Sequence, residues 1–326
     1  MSDIGYDDYE PTLPPELNTA LEEYRVWADV HANASERENS VTYPLYHYTT
    51  ARGLAGIIES QKIWFTDYRH LNDPSELVHG LNTAIETAKV LSEGQDARIQ
   101  DLFKAFSNML RLEHFEEYFD FYIASFSRVR DDLGQWRAYA DNGKGFAIGF
   151  SAELFSISDK RPDDKPPEFV SPVVYGDSAI SERHALALSK MRGIFQDILN
   201  SGVDLSSLEV RMEFVGALIK RVIASPIIFN CLTSKHPAYE HESEVRLLIV
   251  GALGAFMPYV TTRLRGSEII PYIPQPMLVQ SRGAITEIVV GPAAPPGTER
   301  DLGIMLKRFG LEYEVEIKRS EIPYRS

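Results

Sequence analysis

Cysteine is nearly absent: Cys231 is the only one in 326 residues, so the chain closes no internal disulfide. No Cys and His residues stand at the spacing of a zinc site, and no metal requirement is expected. A reducing compartment fits this usage. Positive charge is also scarce, with 33 Lys and Arg against 47 Asp and Glu and a formal net charge of −14. That field repels phosphate backbones, so extended DNA binding by counterion release is disfavoured. No apolar run approaches the roughly 20 residues that span a bilayer. The opening MSDIGYDDYEPTLPPEL has neither the basic start nor the apolar core of a secretory leader. The expectation is a cytoplasmic protein with no membrane partner.

What is present is an ordinary globular composition, 44% hydrophobic and 25% charged, enough to build a full core. Residues 1–40 read as an acidic tail and an accessory helix with Leu17, Leu21, Tyr24, Trp27 and Ala28 on one face. Residues 41–326 read as a single α+β domain. It starts with a strand (YPLYHYT), a helix (ARGLAGIIES) and a second strand (KIWFTD), and helical periodicity then runs from Asp73 to about Leu112. Strand patterns return at FYIASF, KGFAIGF, FVSPVVYG, EVRLLIV and ITEIVVG, with helices expected over about 178–224 and 297–309 and a last strand at YEVEIK. Because strands and helices alternate irregularly, the expected fold is a mixed or antiparallel sheet with flanking helices, not a doubly wound parallel one.

Four segments could carry chemistry. In His47-Tyr48-Thr49, strand alternation puts His47 and Thr49 on one face and Tyr48 on the other, offering an imidazole and a hydroxyl side by side. In HLNDPSE, Asp73 before Pro74 has the form of a helix cap, with Glu76 three residues later completing a capping-box-like arrangement. In GQWRAYADNGKGFAIGF, Trp136 and Tyr139 lie three apart on a helical turn and are expected to share a face, while Gly143 and Gly145 permit a tight turn into the next strand. In YEHESEVR, Glu240, Glu242, Glu244 and Arg246 alternate, and on a strand all four point one way. Charges so close to an apolar run are costly to bury without partners, which suggests an open cleft; a solubilising strand edge is the plain alternative.

Taken in order, LYHYTT, NDPSE, SFS, QWRAYADNGKGFAIGF, KH with YEHESEVR, IVVGP and SEIPYR resemble a family of bacterial proteins known as domain of unknown function 2971, over roughly Tyr43 to Arg325. The opening LYHYTTARGLAGIIESQKIWF is also similar to that of ADP-ribosyltransferase-like proteins, in which a strand ending in H-x-T precedes a helix and a short strand. Gln61-Lys62 stands where those openings usually carry a glycine, and a His opening combined with an E-x-E-like segment mixes two subgroup patterns.

This resemblance implies an ADP-ribosyltransferase-like fold with NAD as substrate and ADP-ribose passed to a protein or nucleic-acid acceptor. A toxin or phage-defence role is among the family-level implications. His47, Tyr48 and Thr49 would position NAD, Trp136 or Tyr139 would stack on nicotinamide, and Arg246 would belong to the same binding group. Glu244 is the first choice for the carboxylate that stabilises positive charge on the ribose, with Glu242 orienting the acceptor or replacing it. Hydrolysis of NAD or another nucleoside is one rival reading, and a non-catalytic nucleotide- or protein-binding module is the other.

Overall fold

The structure, a computed structural model, describes residues 13–38, 40–71, 75–155, 168–218, 226–276 and 283–324. The chain begins with helix α1 (Pro15–Glu38), strand β1 (Leu45–Thr49), helix α2 (Ala51–Ser60) and strand β2 (Ile63–Asp67). Helices α3 (Ser75–Ser92), α4 (Ala97–Met109) and α5 (Leu112–Phe115) lead into β3 (Phe119–Ser127), α6 (Leu133–Tyr139) and β4 (Phe146–Phe150). After β5 (Phe169–Pro172) and β6 (Val174–Tyr175) come α7 (Asp177–Asn200), α8 (Leu208–Leu218), α9 (Phe229–Leu232) and β7 (Ser234–Lys235). The last part carries β8 (Glu244–Ala252), β9 (Thr261–Arg265), β10 (Glu268–Gln275), β11 (Ile285–Val290), α10 (Thr298–Arg308) and β12 (Glu316–Arg319).

These strands form a mixed, mostly antiparallel sheet flanked by helices, and it is not doubly wound. The hydrogen-bonded order is β12-β11-β4-β1-β3-β2-β10-β9, with β8 pairing β3 and β5 off this path. Within this sheet the pairing is antiparallel except between β11 and β12. Strand β3 is the hub. One edge pairs with β8 from Phe119 to Ser127. The other edge is divided, since β1 meets it at Ser127 while β2 meets it at Tyr122 and Ile123. A strand has two edges, so β1 and β2 leave the same edge at different heights and splay apart, opening a fork beside Ala124, Ser125 and Phe126.

Alternation along β3 and β8 sends successive residues into different cores. Phe119, Phe121, Ile123 and Leu248 pack against the helices, with Leu81 of α3, Phe103 and Phe106 of α4, and Phe195 of α7. Tyr122, Ala124, Phe126, Val245, Leu247 and Ile249 face a second core built with Leu54, Ile57 and Ile58 of α2 and Leu302 of α10. Helix α1 contributes Leu17, Leu21 and Tyr24 to the first core, and Trp27 packs against it, so the accessory helix is part of the helical layer.

Local chemistry sets the ends of α2. Its Thr50 cap accepts a hydrogen bond from Gly53 N at 3.2 Å, and its last turn closes on Gln61 at φ 53°, ψ 36°, a left-handed conformation that a glycine adopts without cost. The expected turn into β4 is present. Asp141, Asn142 and Gly143 all have positive φ, and Gly145 N donates to Ala140 O at 2.8 Å. A Cβ on Gly145 would collide with the backbone oxygen of Thr49 and meet Ala140 backbone at 3.0 Å. Neither neighbour is a flexible side-chain tip. Gly145→Ala should therefore destabilise the protein by roughly 1–3 kcal/mol, the scale of forced overpacking, measured as a lower denaturation midpoint; an unchanged midpoint would show that the end of β1 can move.

Candidate functional site

The fork holds a cavity of about 370 Å³ whose lining includes residues from both faces of β3, Ile123 and Ser125 from one and Ala124 and Phe126 from the other. Of the residues singled out from sequence, His47, Tyr48, Thr49, Tyr139, Glu242, Glu244 and Arg246 all reach it. These span 200 positions of chain, and the forked sheet brings them together.

On the β1 side, His47 fills the gap where β3 lacks a strand partner. Its Nδ1 lies 2.9 Å from Ser125 O, and since a carbonyl only accepts, Nδ1 carries the proton and Nε2 presents a lone pair. Burial lowers the His47 pKa, the hydrogen bond to Ser125 partly opposes that, and nearby Arg263 lowers it further, so the ring is neutral at pH 7. Thr49 sits against α2, where a Cβ on residue 53 would overlap its hydroxyl, so Gly53 makes room for it. Tyr48 turns the other way. Its hydroxyl donates to Val129 O at 2.9 Å and accepts from Asp132 N at 3.0 Å, and its ring lies edge-on to Trp136 at 4.9 Å.

The opposite wall is a buried charge network. Glu244 and Arg246 occupy the β8 face that continues into Leu248, where the apolar helical core gives way to charge. Arg246 grips Glu244 through two bonds, Nε to Oε1 at 2.8 Å and Nη2 to Oε2 at 3.0 Å. It also donates from Nη1 to Leu232 O at 2.6 Å and pairs with Glu76. Lys235 reaches Glu76 at 2.9 Å, Glu242 at 2.6 Å and Glu244 at 3.1 Å. Three carboxylates against two cations leave one formal negative charge. Burial opposes ionisation of Glu244, but the charges of Arg246 and Lys235, with hydrogen bonds from Arg246 and Ser125, reverse that and hold its carboxyl at about 2. Glu242 is held differently: Oε2 takes Lys235, and Oε1 accepts a hydrogen bond from Tyr139 at 2.9 Å. Burial and the Glu242 charge push the Tyr139 phenol up, so it remains a donor.

Two expectations need correction. Residues 237–242 form a 3-10 turn, and β8 starts only at Glu244 after Ser243 takes φ 45°. Glu240 consequently lies exposed, while Glu242 and Glu244 are buried and paired at the cavity wall, so the acidic segment is not a continuous strand with all four charges on one face. Trp136 is not on the cavity wall as a stacking ring would be: Gln135, Ala138 and Tyr139 line the cavity, whereas the Trp136 ring is fully buried in a cluster with Tyr48 and Ala140, against which Tyr139 also packs, and donates to Asp131 Oδ1 at 2.6 Å. That assigns Trp136 to packing rather than to the cavity wall. Glu76 pairs with Lys235 and Arg246; the capping arrangement expected with Asp73 falls on Asn72, Asp73 and Pro74, which lie outside the described residues.

Glu76 and Lys235 are site residues that motif reading missed. Each stood beside a pattern with a sufficient structural explanation, yet a lysine directly before the acidic segment was a usable signal. Residues 135–247 match the family described as Protein of unknown function (DUF2971). That stretch carries Tyr139, Lys235, Glu242, Glu244 and Arg246, whereas His47, Thr49 and Glu76 fall outside it. No curated protein matches the chain, and no solved structure does. Among the described residues no group of three or more His, Cys, Asp or Glu is placed to hold a metal, and no helix is long and apolar enough to cross a membrane.

The pairing of Glu244 makes a pH prediction. Its depressed carboxyl stabilises the fold fully above the ordinary pKa of 4.5 and loses that contribution as pH falls from 4.5 toward about 2. Glu244→Gln should flatten this acid limb and, by leaving Arg246 and Lys235 underpaired, cost roughly 3–5 kcal/mol at pH 7. Chemical denaturation between pH 2 and 7 checks it; an acid limb identical in the two proteins would contradict the assignment.

Proposed function

We propose that this protein is an ADP-ribosyltransferase-like enzyme that cleaves the nicotinamide–ribose bond of NAD and passes ADP-ribose to a macromolecular acceptor. The observation that carries the reading is the buried, net-negative carboxylate network facing a neutral His47 and Thr49 across one nucleotide-scale cavity. Breaking the C1′–N bond sends the electron pair to the nicotinamide ring nitrogen and leaves positive charge on the ribose. An acceptor lone pair then forms the new bond at C1′ and the acceptor loses a proton. A fixed anionic wall favours that charge-developing state over the ground state.

Within this reading the residues divide by what their hydrogen bonds leave free. Glu244 has both oxygens committed to Arg246 and Lys235, which suits it to holding the wall rather than meeting the sugar. Glu242 has one oxygen shared only with the Tyr139 phenol, so it is the better candidate to face C1′, and Glu244 becomes its positioning partner. Tyr139, held by that bond, supplies the ring for stacking on nicotinamide. His47 Nε2 accepts from a ribose hydroxyl, and Thr49 adds a second hydrogen bond. The same pairing of carboxylates favours one other reading, a non-catalytic nucleotide-binding module, in which the network only shapes the cavity.

Nicotinamide release from NAD, read together with transfer of labelled ADP-ribose to protein and nucleic acid, tests the proposal. Glu242→Gln should keep the fold and most NAD affinity while release falls by roughly 100-fold or more, the scale for losing one electrostatic transition-state contact. Release without labelled acceptor would redirect the activity to hydrolysis. NAD binding without turnover would leave the binding module, and neither binding nor release would end the NAD reading.

A further inference from the structure

We infer that the β9 end of the same cavity is an anion subsite, centred on Arg263, that takes a phosphate or diphosphate group of the ligand. Arg263 lines the cavity, yet among the described residues no carboxylate pairs with it. Its guanidinium lies over the rings of Trp64 at 5.1 Å and Tyr272 at 5.6 Å, and Nη2 donates to Thr66 Oγ1 at 3.0 Å. Its Nε is buried without any hydrogen-bond partner. The other arginines of the chain that enter the cavity wall are answered: Arg246 holds two glutamates, and Arg265 pairs with Glu268 at 2.9 Å and donates to His70 O at 3.1 Å.

A half-buried guanidinium without an anion is uncommon, because desolvating a charge is costly unless a partner compensates it. Here burial and the positive charges of Arg265 and Arg52 act against the Arg263 cation, and Tyr272 offsets them only in part. Among the described residues no carboxylate stands beside it, a feature that an incoming anion would exploit. Two aromatic rings and one threonine fix the plane of the fork, and a planar fork with free donors matches the paired oxygens of a phosphate better than a single point charge does.

The two ends of the cavity are thereby opposite in sign. Carboxylates stand at the Lys235 wall, and on β9 stands Arg263, with no carboxylate partner among the described residues. An anionic group is repelled from the first and held by the second, so the ligand enters in one orientation, with phosphate at Arg263 and its electron-poor sugar carbon at Glu242. The orientation rests on the proposed function, whereas the subsite itself rests on Arg263 alone.

Calorimetric titration with inorganic diphosphate, ADP and adenosine tests the subsite on wild type, Arg263→Gln, Arg263→Lys and Thr66→Val. ADP and diphosphate should bind wild type, weaken with salt, and lose roughly 10- to 100-fold in Arg263→Gln, the scale of a lost charge-assisted hydrogen bond. Arg263→Lys should fall between, because it keeps the charge and loses the fork, and Thr66→Val should weaken both ligands less. Melting temperature separates binding from structure: removing an uncompensated cation should leave it unchanged or raised. Adenosine binding as tightly as ADP, ADP affinity surviving in Arg263→Gln, or no binding of either anion to wild type would each overturn the subsite. Anion binding lost in Arg263→Gln, together with a wild type that releases no nicotinamide, would keep the subsite and reject the NAD chemistry.

Discussion

Everything in the site follows from two strands competing for one edge of β3. A strand edge offers one row of donors and acceptors, and β1 and β2 each take only an end of it. Between them the backbone is left open at Ser125, whose carbonyl would be an unsatisfied buried acceptor if no side chain came to it. His47 answers that carbonyl. The imidazole is thus a structural substitute for a missing ladder bond, and the same bond fixes its tautomer at the cavity wall. Stability and potential chemistry are joined in one residue.

The far side of the fork meets a different constraint. Where β8 leaves the helical core, Glu244 and Arg246 take the positions of the face that carries Leu248 further along the strand. Buried ions persist only when their partners are themselves held in place. Here Lys235 is anchored on β7 and lies 4.8 Å from the Tyr239 ring centre, Glu76 stands on the first turn of α3, and the Tyr175 hydroxyl accepts from Glu244 N at 2.9 Å. Ser243 adopts a left-handed conformation between the two glutamates, a local strain of about 1–2 kcal/mol, and its carbonyl accepts from Arg128 N at 3.0 Å. The strain is tolerated because β3 and the 3-10 turn hold both sides of it.

Much of this was legible because period and chemistry agreed. The alternation of His47, Tyr48 and Thr49 was readable from three letters, as were the helix of ARGLAGIIES and the tight turn after Ala140. Gln61 is instructive, since a glycine is expected there for its left-handed cap and the glutamine adopts that conformation anyway. What sequence did not reveal depends on groups distant along the chain. The divided edge of β3 cannot be inferred from the strands separately. Glu76 looked complete as a cap, and only the approach of Lys235 and Arg246 gives it another task. Tyr139 reaches the cavity and Trp136 does not, because the core boundary cuts across α6, which helix periodicity alone does not locate.

The wall that bears Tyr139 is held from far down the chain. Asp131, just ahead of α6, accepts hydrogen bonds from Ser320 Oγ at 2.7 Å and Glu321 N at 2.8 Å, and the Tyr324 hydroxyl donates to Asn142 at 2.6 Å. These contacts close loops of 182 to 190 residues, and such distant closures form late because their entropy must be met before they contribute. Asp131 is therefore a clasp between the segment leading into α6 and residues 320 and 321, so the placing of the Tyr139 wall is shared with a part of the chain almost two hundred positions away.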